Sequence, residues 1–501
     1  KPMNRPNILL IMADQQRADA LGIHRPWLKT PALDRLANEG LSVNRCYPPT
    51  PVCLPCRASM ATGQFPSTHG ARHNESGLPL DYPVTSASAF QRAGYFTHMI
   101  GKSHISSVHN PSSPESAPDI YNFAHYRQWH GPWYGFERAD INVGHSTEKH
   151  AASMHYGAWL EDRGVDIQKY FGIGAYTDYG TWDLPEEHHS STWVAETSIA
   201  SMRQACTEGR PFFQWVNFQD PHNPCMVPEP WASMYRDAPI PDHGFFDGEP
   251  ESFQQKPAFY QELLEQPGEY ACRPSDPGLP GVSNTSSFDW PPDKVRENAA
   301  HYYGMVSLID KHVGRMLDAL DSLGIAENTI VIYASDHGDL LGDHGLFWKG
   351  VAAFEESMRV PFLVRAPGVI PAGRSTDALH SLLDVYPTLL ELIGARAPRT
   401  FEGLSQREVW TGKAESVRDS VVVEEQPADT DFVQRILIDE QYKTVYYAGR
   451  PLGELYDMKR DPNQIHNLWQ VDEYRAVRDE RIRVILDREL RRTRPNRIGE
   501  S

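Results

Sequence analysis

No stretch of this 501-residue chain is apolar over the roughly 18 residues that a membrane-spanning helix requires; the longest apolar run near its start is Ile8 to Ala13. A membrane span is therefore not expected. Cysteine is scarce: six residues in the whole chain, two of them at Cys53 and Cys56, cannot make a disulfide framework, so the fold must rest on its core. Cys206, Cys225 and Cys272 stand singly, which leaves no second ligand pair for a zinc site. Basic residues are in deficit, 48 Lys plus Arg against 66 Asp plus Glu, for a formal charge of −18. That balance argues against a nucleic-acid or anionic-membrane partner, and an anionic substrate would need a local basic pocket. No basic and apolar leader follows Met3, which favours the cytoplasm, or a periplasmic or secreted location if a signal peptide has been removed. There is no internal repeat.

The segment from Asn7 to Met12 is fully apolar and ends at Ala13-Asp14-Gln15, the pattern of a buried central strand with polar groups at its carboxyl end. The same grammar recurs at Phe212 to Phe218, before Asp220-Pro221-His222, and at Thr329 to Tyr333, before Ser335-Asp336-His337-Gly338. Pro361 to Arg365 is a further strand. Helices are expected at Pro31 to Asn38, after Cys53, and at Asp293 to Ser322, where Met305, Leu308, Ile309, Val313, Leu317 and Leu320 keep helical spacing and Gly324 suits the stop. This alternation predicts an α/β fold: a large, mostly parallel or mixed central sheet flanked by helices, with its site at the strands' carboxyl ends. Two stretches, Ser106 to Glu187 and Asp237 to Asp293, read as loop-rich inserts. Beyond about Arg396 come short strands at Ser420 to Glu424, Gln434 to Ile438 and Tyr442 to Tyr447, then a charged helix from Asp472 to Arg492. A division into a catalytic domain, 1–395, and a small antiparallel subdomain with a helix, 396–501, follows.

The run Cys53-Leu54-Pro55-Cys56-Arg57, closed by Thr62-Gly63, carries the most chemistry. A thioredoxin-like redox pair should open a helix directly after a strand, whereas Tyr47-Pro48-Pro49-Thr50-Pro51 is loop. The pentapeptide resembles the signature of the sulfatase family, in the alkaline phosphatase superfamily, whose leading cysteine is oxidised after synthesis to formylglycine. The resemblance extends in the family's order through Asp14-Gln15-Gln16-Arg17, Ile100-Gly101-Lys102-Ser103-His104, Pro221-His222, Ser335-Asp336-His337-Gly338, Gly342-Asp343-His344-Gly345 to Lys349, and Asp384-Val385-Tyr386-Pro387-Thr388. It ends at Leu455-Tyr456-Asp457 and Asn467-Leu468.

The resemblance implies an alkaline-phosphatase-like fold and hydrolysis of aryl or sugar sulfates. Asp14, Gln15, Asp336 and His337, completed by the formylglycine oxygen from Cys53, would hold one divalent metal. Gln15 and His337 stand where sulfatases more often carry Asp and Asn. Ca²⁺ is favoured, with Mn²⁺ a rival because imidazole suits transition metals. Arg57 would steady the hydrated aldehyde and the metal ligands, Lys102 and Lys349 would hold sulfate oxygens, and His104 would accept the hydrate's proton. His222 is the general acid, and Asn74 matches a polar position of the site. His98, His109 and His344 receive no role.

In the implied reaction the hydrate attacks sulfur, expels an alcohol or phenol protonated by His222, and leaves a sulfated hemiacetal from which the second hydroxyl releases sulfate. A formylglycine-generating enzyme would be needed for maturation, and a homo-oligomer is compatible with the chain. Cys56 stands where sulfatases usually carry serine. Gln15 and His337 resemble the phosphonate monoester hydrolase branch, which makes a phosphonate monoester or phosphodiester hydrolase the alternative; Lys102 and His104 keep the sulfatase pattern. An alternative of another class is a non-catalytic or thiol-redox protein with unmodified Cys53.

Overall fold

The computed structural model describes residues 5–265, 267, 285–427 and 432–492. Eight strands form the main sheet: β1 Asn7–Ala13, β2 Leu41–Val43, β3 Phe96–Lys102, β4 Arg138–Asn142, β5 Phe212–Asn217, β6 Thr329–Ser335, β7 Phe362–Arg365 and β8 Arg374–Thr376. Their order is β8-β2-β7-β6-β1-β5-β3-β4. Every pairing is parallel except those of β7, which runs against both β6 and β2.

The apolar run of β1 follows from its place at the centre. Alternate side chains leave a strand on opposite faces, and here both faces are covered. Ile8, Leu10 and Met12 join a core with Leu54 and Met60 of the helix Cys53–Thr62 and with Tyr386 and Leu389 of the helix Val385–Leu392. Leu9, Ile11 and Ala13 join another with Val194 and Met202 of the helix Ser190–Glu208 and with Ile309, Val313 and Met316 of the helix Pro292–Ser322. A strand buried on both sides has no polar alternation to show, which is why its pattern is a continuous run.

The stretch Ser106 to Glu187 is rich in loop, as expected, but part of it belongs to the main sheet. It supplies edge strand β4, parallel to β3 with Lys102 beside Asn142, and a covering helix, Met154–Asp162. Arg138-Ala139-Asp140-Ile141-Asn142 has too little apolar character to announce a strand; its Asp140 is buried because His98, His130 and Arg138 all donate to it. In Asp237 to Asp293 the structure forms the helix Phe259–Glu265, while residues 266 and 268–284, including Cys272, lie outside the described residues.

The C-terminal strands β9 Ser420–Glu425, β10 Gln434–Asp439, β11 Tyr442–Tyr447 and β12 Glu454–Asp457 form an antiparallel sheet in chain order, with the helix Arg475–Arg492. This sheet shares a core with Phe253, Tyr260 and Phe354 of the preceding chain. Lys256 fixes the junction: its buried ammonium donates to Tyr456 Oη at 2.6 Å and to the Gln464 carbonyl, among the rings of Phe354, Tyr260 and Tyr456. Burial pushes this amine down to about 8. Lys256→Ala should lower the unfolding free energy by about 2–4 kcal/mol, because it strands buried acceptors. Urea titration followed by fluorescence measures the loss.

Candidate functional site

Five parallel strands deliver polar residues to one end of the sheet: Asp14 and Gln15 after β1, Lys102 at the end of β3, His145 after β4, Asn217 at the end of β5, and Asp336 and His337 after β6. Register brings them together, since Ala13 lies beside Ser335, Met12 beside Asn217, and Lys102 beside Asn142. Gly101 precedes Lys102 within β3, beside Ile141 and Asn217. Its φ is +85°, and a Cβ there would stand 1.9 Å from the Asn217 carbonyl oxygen, so no other residue fits.

Cys53 opens the helix Cys53–Thr62 from the opposite side, its Sγ 3.6 Å from Asp14 Oδ1 and 3.0 Å from His337 Nε2. The helix start places the positive end of its dipole at the thiol. One turn on, Arg57 is wholly buried: Nε donates to Asp336 Oδ2 at 2.9 Å, and Nη1 donates to Asn217 Oδ1 at 3.1 Å and to the Lys102 carbonyl at 3.0 Å. Asp14 Oδ2 lies 3.5 Å from Arg57 Nη2 and accepts from Lys102 Nζ. Burial would raise the Asp14 carboxyl, but the Lys102 ammonium and the Arg57 guanidinium hold it well below the usual carboxylate range. Burial, with Asp14 beside it, pushes the Cys53 thiol up to about 12. As an unmodified side chain Cys53 is a neutral thiol and a poor nucleophile.

Three histidines present the same face. His337 donates Nδ1–H to the Gly338 carbonyl at 2.9 Å, His222 to the Asn223 carbonyl at 2.7 Å, and His145 to Glu148 Oε2 at 2.9 Å. Each carbonyl or carboxylate fixes the tautomer, so each Nε2 turns its lone pair inward. His337 Nε2 faces Cys53, His222 Nε2 accepts from Lys349 Nζ at 2.6 Å, and His145 Nε2 accepts from Lys102 Nζ. The rings of His145 and His222 stack at 3.5 Å and 12°. Burial lowers all three; for His222 the next cause is Lys349, and for His145 it is His222.

The donor atoms of Asp14, Cys53, Asp336 and His337 all lie within 4.8 Å of one another, as do those of Asp14, Cys53, His145 and His222. Two carboxylates and an imidazole with converging, fully buried atoms suit a divalent cation. Gln15 borders this group, its backbone amide donating to Asp336 Oδ1 at 3.1 Å. Its Nε2 donates to Asp339 Oδ2 at 2.7 Å and to Asn223 Oδ1 at 3.1 Å, which turns Oε1 toward Lys349. Arg57 pairs with Asp14 and Asp336, Lys102 with Asp14, and Lys349 with Gln15 and His222, so three cations converge within an acidic protein.

Several expected contacts take a different form. Arg57 grips Asp14 and Asp336, two of the expected metal ligands, and makes no hydrogen bond to Cys53 among the described residues. Lys102, expected on a sulfate, is engaged by Asp14 and His145, because Asp14 is the nearest anion in the structure. His222, expected to offer a proton, instead accepts a hydrogen bond from Lys349 at Nε2. His104 is buried at φ +49° with Nδ1 unpartnered, and its ring lies 6.4 Å from that of His145. Its loop is held by Glu115, which accepts from the Ile105 and Ser106 amides. Asn74 is half-buried and accepts from the Leu54 amide at 3.3 Å, at the first turn of the Cys53 helix.

Sequence reasoning missed Glu115, His145, Glu148, Asn217, Asn223 and Asp339. Glu115, His145 and Glu148 come from the stretch taken for loop. The signal lay in Asn142-Val143-Gly144-His145, which repeats the strand-then-polar grammar once β4 is recognised.

Comparison with known proteins gives a consistent setting. The family model described as Sulfatase matches residues 6–395, and that of N-sulphoglucosamine sulphohydrolase, C-terminal, matches residues 342–492. The chain is similar to an arylsulfatase of Clostridium perfringens, 29% identical over 97% of this chain and 94% of that protein. It is also similar to a multifunctional alkaline phosphatase superfamily protein of Trinickia caryophylli, 28% identical over 95% of this chain and 94% of that one. Among solved structures, the phosphonate monoester hydrolase of Agrobacterium radiobacter superposes with a TM-score of 0.76 at 26% identity, covering 97% of this chain and 96% of that one.

Because burial and the neighbouring cations disfavour imidazolium, His145 and His222 should remain neutral and protonated on Nδ1 from about pH 6 to pH 8. Ring-nitrogen NMR chemical shifts report this directly, and a titration of either ring within that range would contradict the assigned hydrogen bonds.

Proposed function

The chain belongs to the sulfatase family and is a sulfuric ester hydrolase, and we propose that it cleaves aryl or sugar sulfate monoesters with a nucleophile made from Cys53. The observation that carries this is the position of Cys53: at a helix start, between two carboxylates and an imidazole, facing a Lys349–His222 pair. The thiol itself is poorly suited to attack, so a modified side chain accounts for the site better than a redox thiol does.

Oxidation of Cys53 to formylglycine, by a generating enzyme during maturation, supplies a hydrated aldehyde with two hydroxyls, one to attack and one to drive release by carbon–oxygen cleavage. Asp14, Gln15, Asp336 and His337 would hold one divalent metal, Ca²⁺ by its oxygen donors or Mn²⁺ by its imidazole, which supplies positive charge beside the nucleophile. The remaining work falls to the chain. Arg57 holds Asp14 and Asp336 apart from each other's repulsion and fixes their oxygens. Lys102 and Lys349 bring two ammonium groups to a sulfate that carries negative charge, which lowers the repulsion an anionic ester presents to any nucleophile. His222 Nε2, which accepts from Lys349 Nζ, takes that proton and releases it from the same nitrogen to the departing oxygen, leaving Lys349 as the neutral amine. His104, with an unpartnered buried nitrogen, is the base for the second hydroxyl. Glu115 positions His104, and Asn74 holds the first turn of the Cys53 helix.

A second reading, a phosphonate monoester or phosphodiester hydrolase, is supported by Gln15, by His337 and by the likeness to the Agrobacterium radiobacter enzyme. Lys102 and His104, which keep the sulfatase pattern, favour sulfate monoesters.

Cys53→Ala should abolish turnover of 4-nitrophenyl sulfate, and steady turnover by that variant would sink the nucleophile assignment. Mass spectrometry of the peptide containing residue 53 should find formylglycine in protein made by a host that has the generating enzyme. Comparing kcat/KM for an aryl sulfate with that for an aryl phosphonate monoester on one preparation should favour the sulfate; the reverse preference supports the second reading.

A further inference from the structure

Beyond His222 the site is walled by aromatic rings. Tyr176 donates its hydroxyl to His222 Nε2 at 3.4 Å, the nitrogen that also faces Lys349, and its ring centroid lies 5.9 Å from that of His222. Tyr176 meets Trp348 at 5.1 Å and 78°, Trp348 meets Phe288 at 5.5 Å, and Phe288 stacks on Trp290 at 5.0 Å and 21°. The rings run from a buried histidine through buried Trp348 to half-buried Tyr176, Phe288 and Trp290.

The backbone at Trp348 carries a second, independent observation. Trp348 has φ +71°, a left-handed conformation that a bulky side chain rarely adopts. It is held there from both sides: its amide donates to Asp339 Oδ1 at 3.1 Å, and its carbonyl accepts from the Leu340 amide at 2.7 Å. The other oxygen of Asp339 holds Gln15. The strained turn sets Trp348 against Tyr176 while the next residue, Lys349, reaches Gln15 and His222. Backbone strain of this kind clusters beside active sites.

We propose that Tyr176 and Trp348, backed by Phe288 and Trp290, form the leaving-group wall of the site, selecting esters whose leaving group offers a flat carbon face. This rests on the sulfatase reading, which puts the departing oxygen at His222. The carbon bonded to that oxygen then lies against the Tyr176 ring. An aryl ring and the hydrogen-bearing face of a pyranose share this chemistry, whereas an ethyl group lacks it.

The test is a ratio read beside Tyr176→Phe, which reports separately any effect of the Tyr176 hydroxyl on proton transfer to the leaving oxygen. The kcat/KM values of 4-nitrophenyl sulfate and of glucose 6-sulfate are each divided by that of ethyl sulfate, in the wild-type enzyme and in Tyr176→Leu and Trp348→Leu. One or both ratios should fall about five- to tenfold, mainly through KM; a fall in the first identifies an aryl face, in the second a pyranose face. Tyr176→Phe, which keeps the ring, should keep the ratio. Tyr176 is half-buried, so its variant keeps the test open if Trp348→Leu does not fold. Unchanged ratios in folded variants overturn the wall. Calorimetric binding of the same esters to Cys53→Ala, with and without Tyr176→Leu, reads the same selectivity without turnover. Absence of sulfate turnover in the wild type would then count against the reaction, and absence of any loss of binding selectivity against the wall.

Discussion

The structure depends on one buried exchange of charge. Arg57 reaches Asp336 directly and Asp14 at longer range, Lys102 holds Asp14 from its other side, and all four side chains are fully buried. Charges removed from water are costly unless paired, and removing one partner of a buried pair costs about 3–5 kcal/mol. The carboxylates that would hold a metal therefore also hold the helix of Cys53 to the ends of β1, β3 and β6. Fold and site cannot be altered independently here. The sheet brings the anions together, and the cations make that convergence tolerable.

The same exchange explains why part of the molecule was legible in its sequence. Asp14, Asp336 and His222 follow strands buried on both faces, and such strands announce themselves as unbroken apolar runs. The helix of Cys53 was legible through its pentapeptide, and the long helix ending at Ser322 through its spacing. β4 was not legible, because an edge strand that carries Arg138 and Asp140 looks like loop until its partners are known. With it went His145 and Glu148, which only the pairing of β4 with β3 brings beside Lys102. Glu115 was hidden for another reason: it acts on backbone amides, and such a role leaves no trace in residue type. Similarly, a tryptophan at positive φ cannot be foreseen from composition.

His145 and His222 merit comparison as a pair. Their rings stack, yet each nitrogen facing inward belongs to a different lysine, Lys102 for one and Lys349 for the other. The stack couples the two ammonium groups through uncharged rings. Two neutral imidazoles can lie face to face at this distance, whereas two imidazolium ions would repel, so the stacking and the lowered affinity for protons support each other. The site thereby gathers cations on lysine and arginine while its histidines stay available as acceptors.

The reversed strand β7 has a consequence for how this site can change. Chain leaving β6 at Ser335 and entering β7 at Phe362 begins and finishes at the same end of the sheet. No crossover has to span the sheet between them. Asp336, His337, Trp348 and Lys349 therefore belong to an excursion tethered at neighbouring points, like a handle fixed at both ends to one rim. Residues can be inserted into or deleted from the part of this handle beyond His337 without rethreading the sheet, so the stretch that would meet a substrate can change while Asp336 stays in its buried pairing.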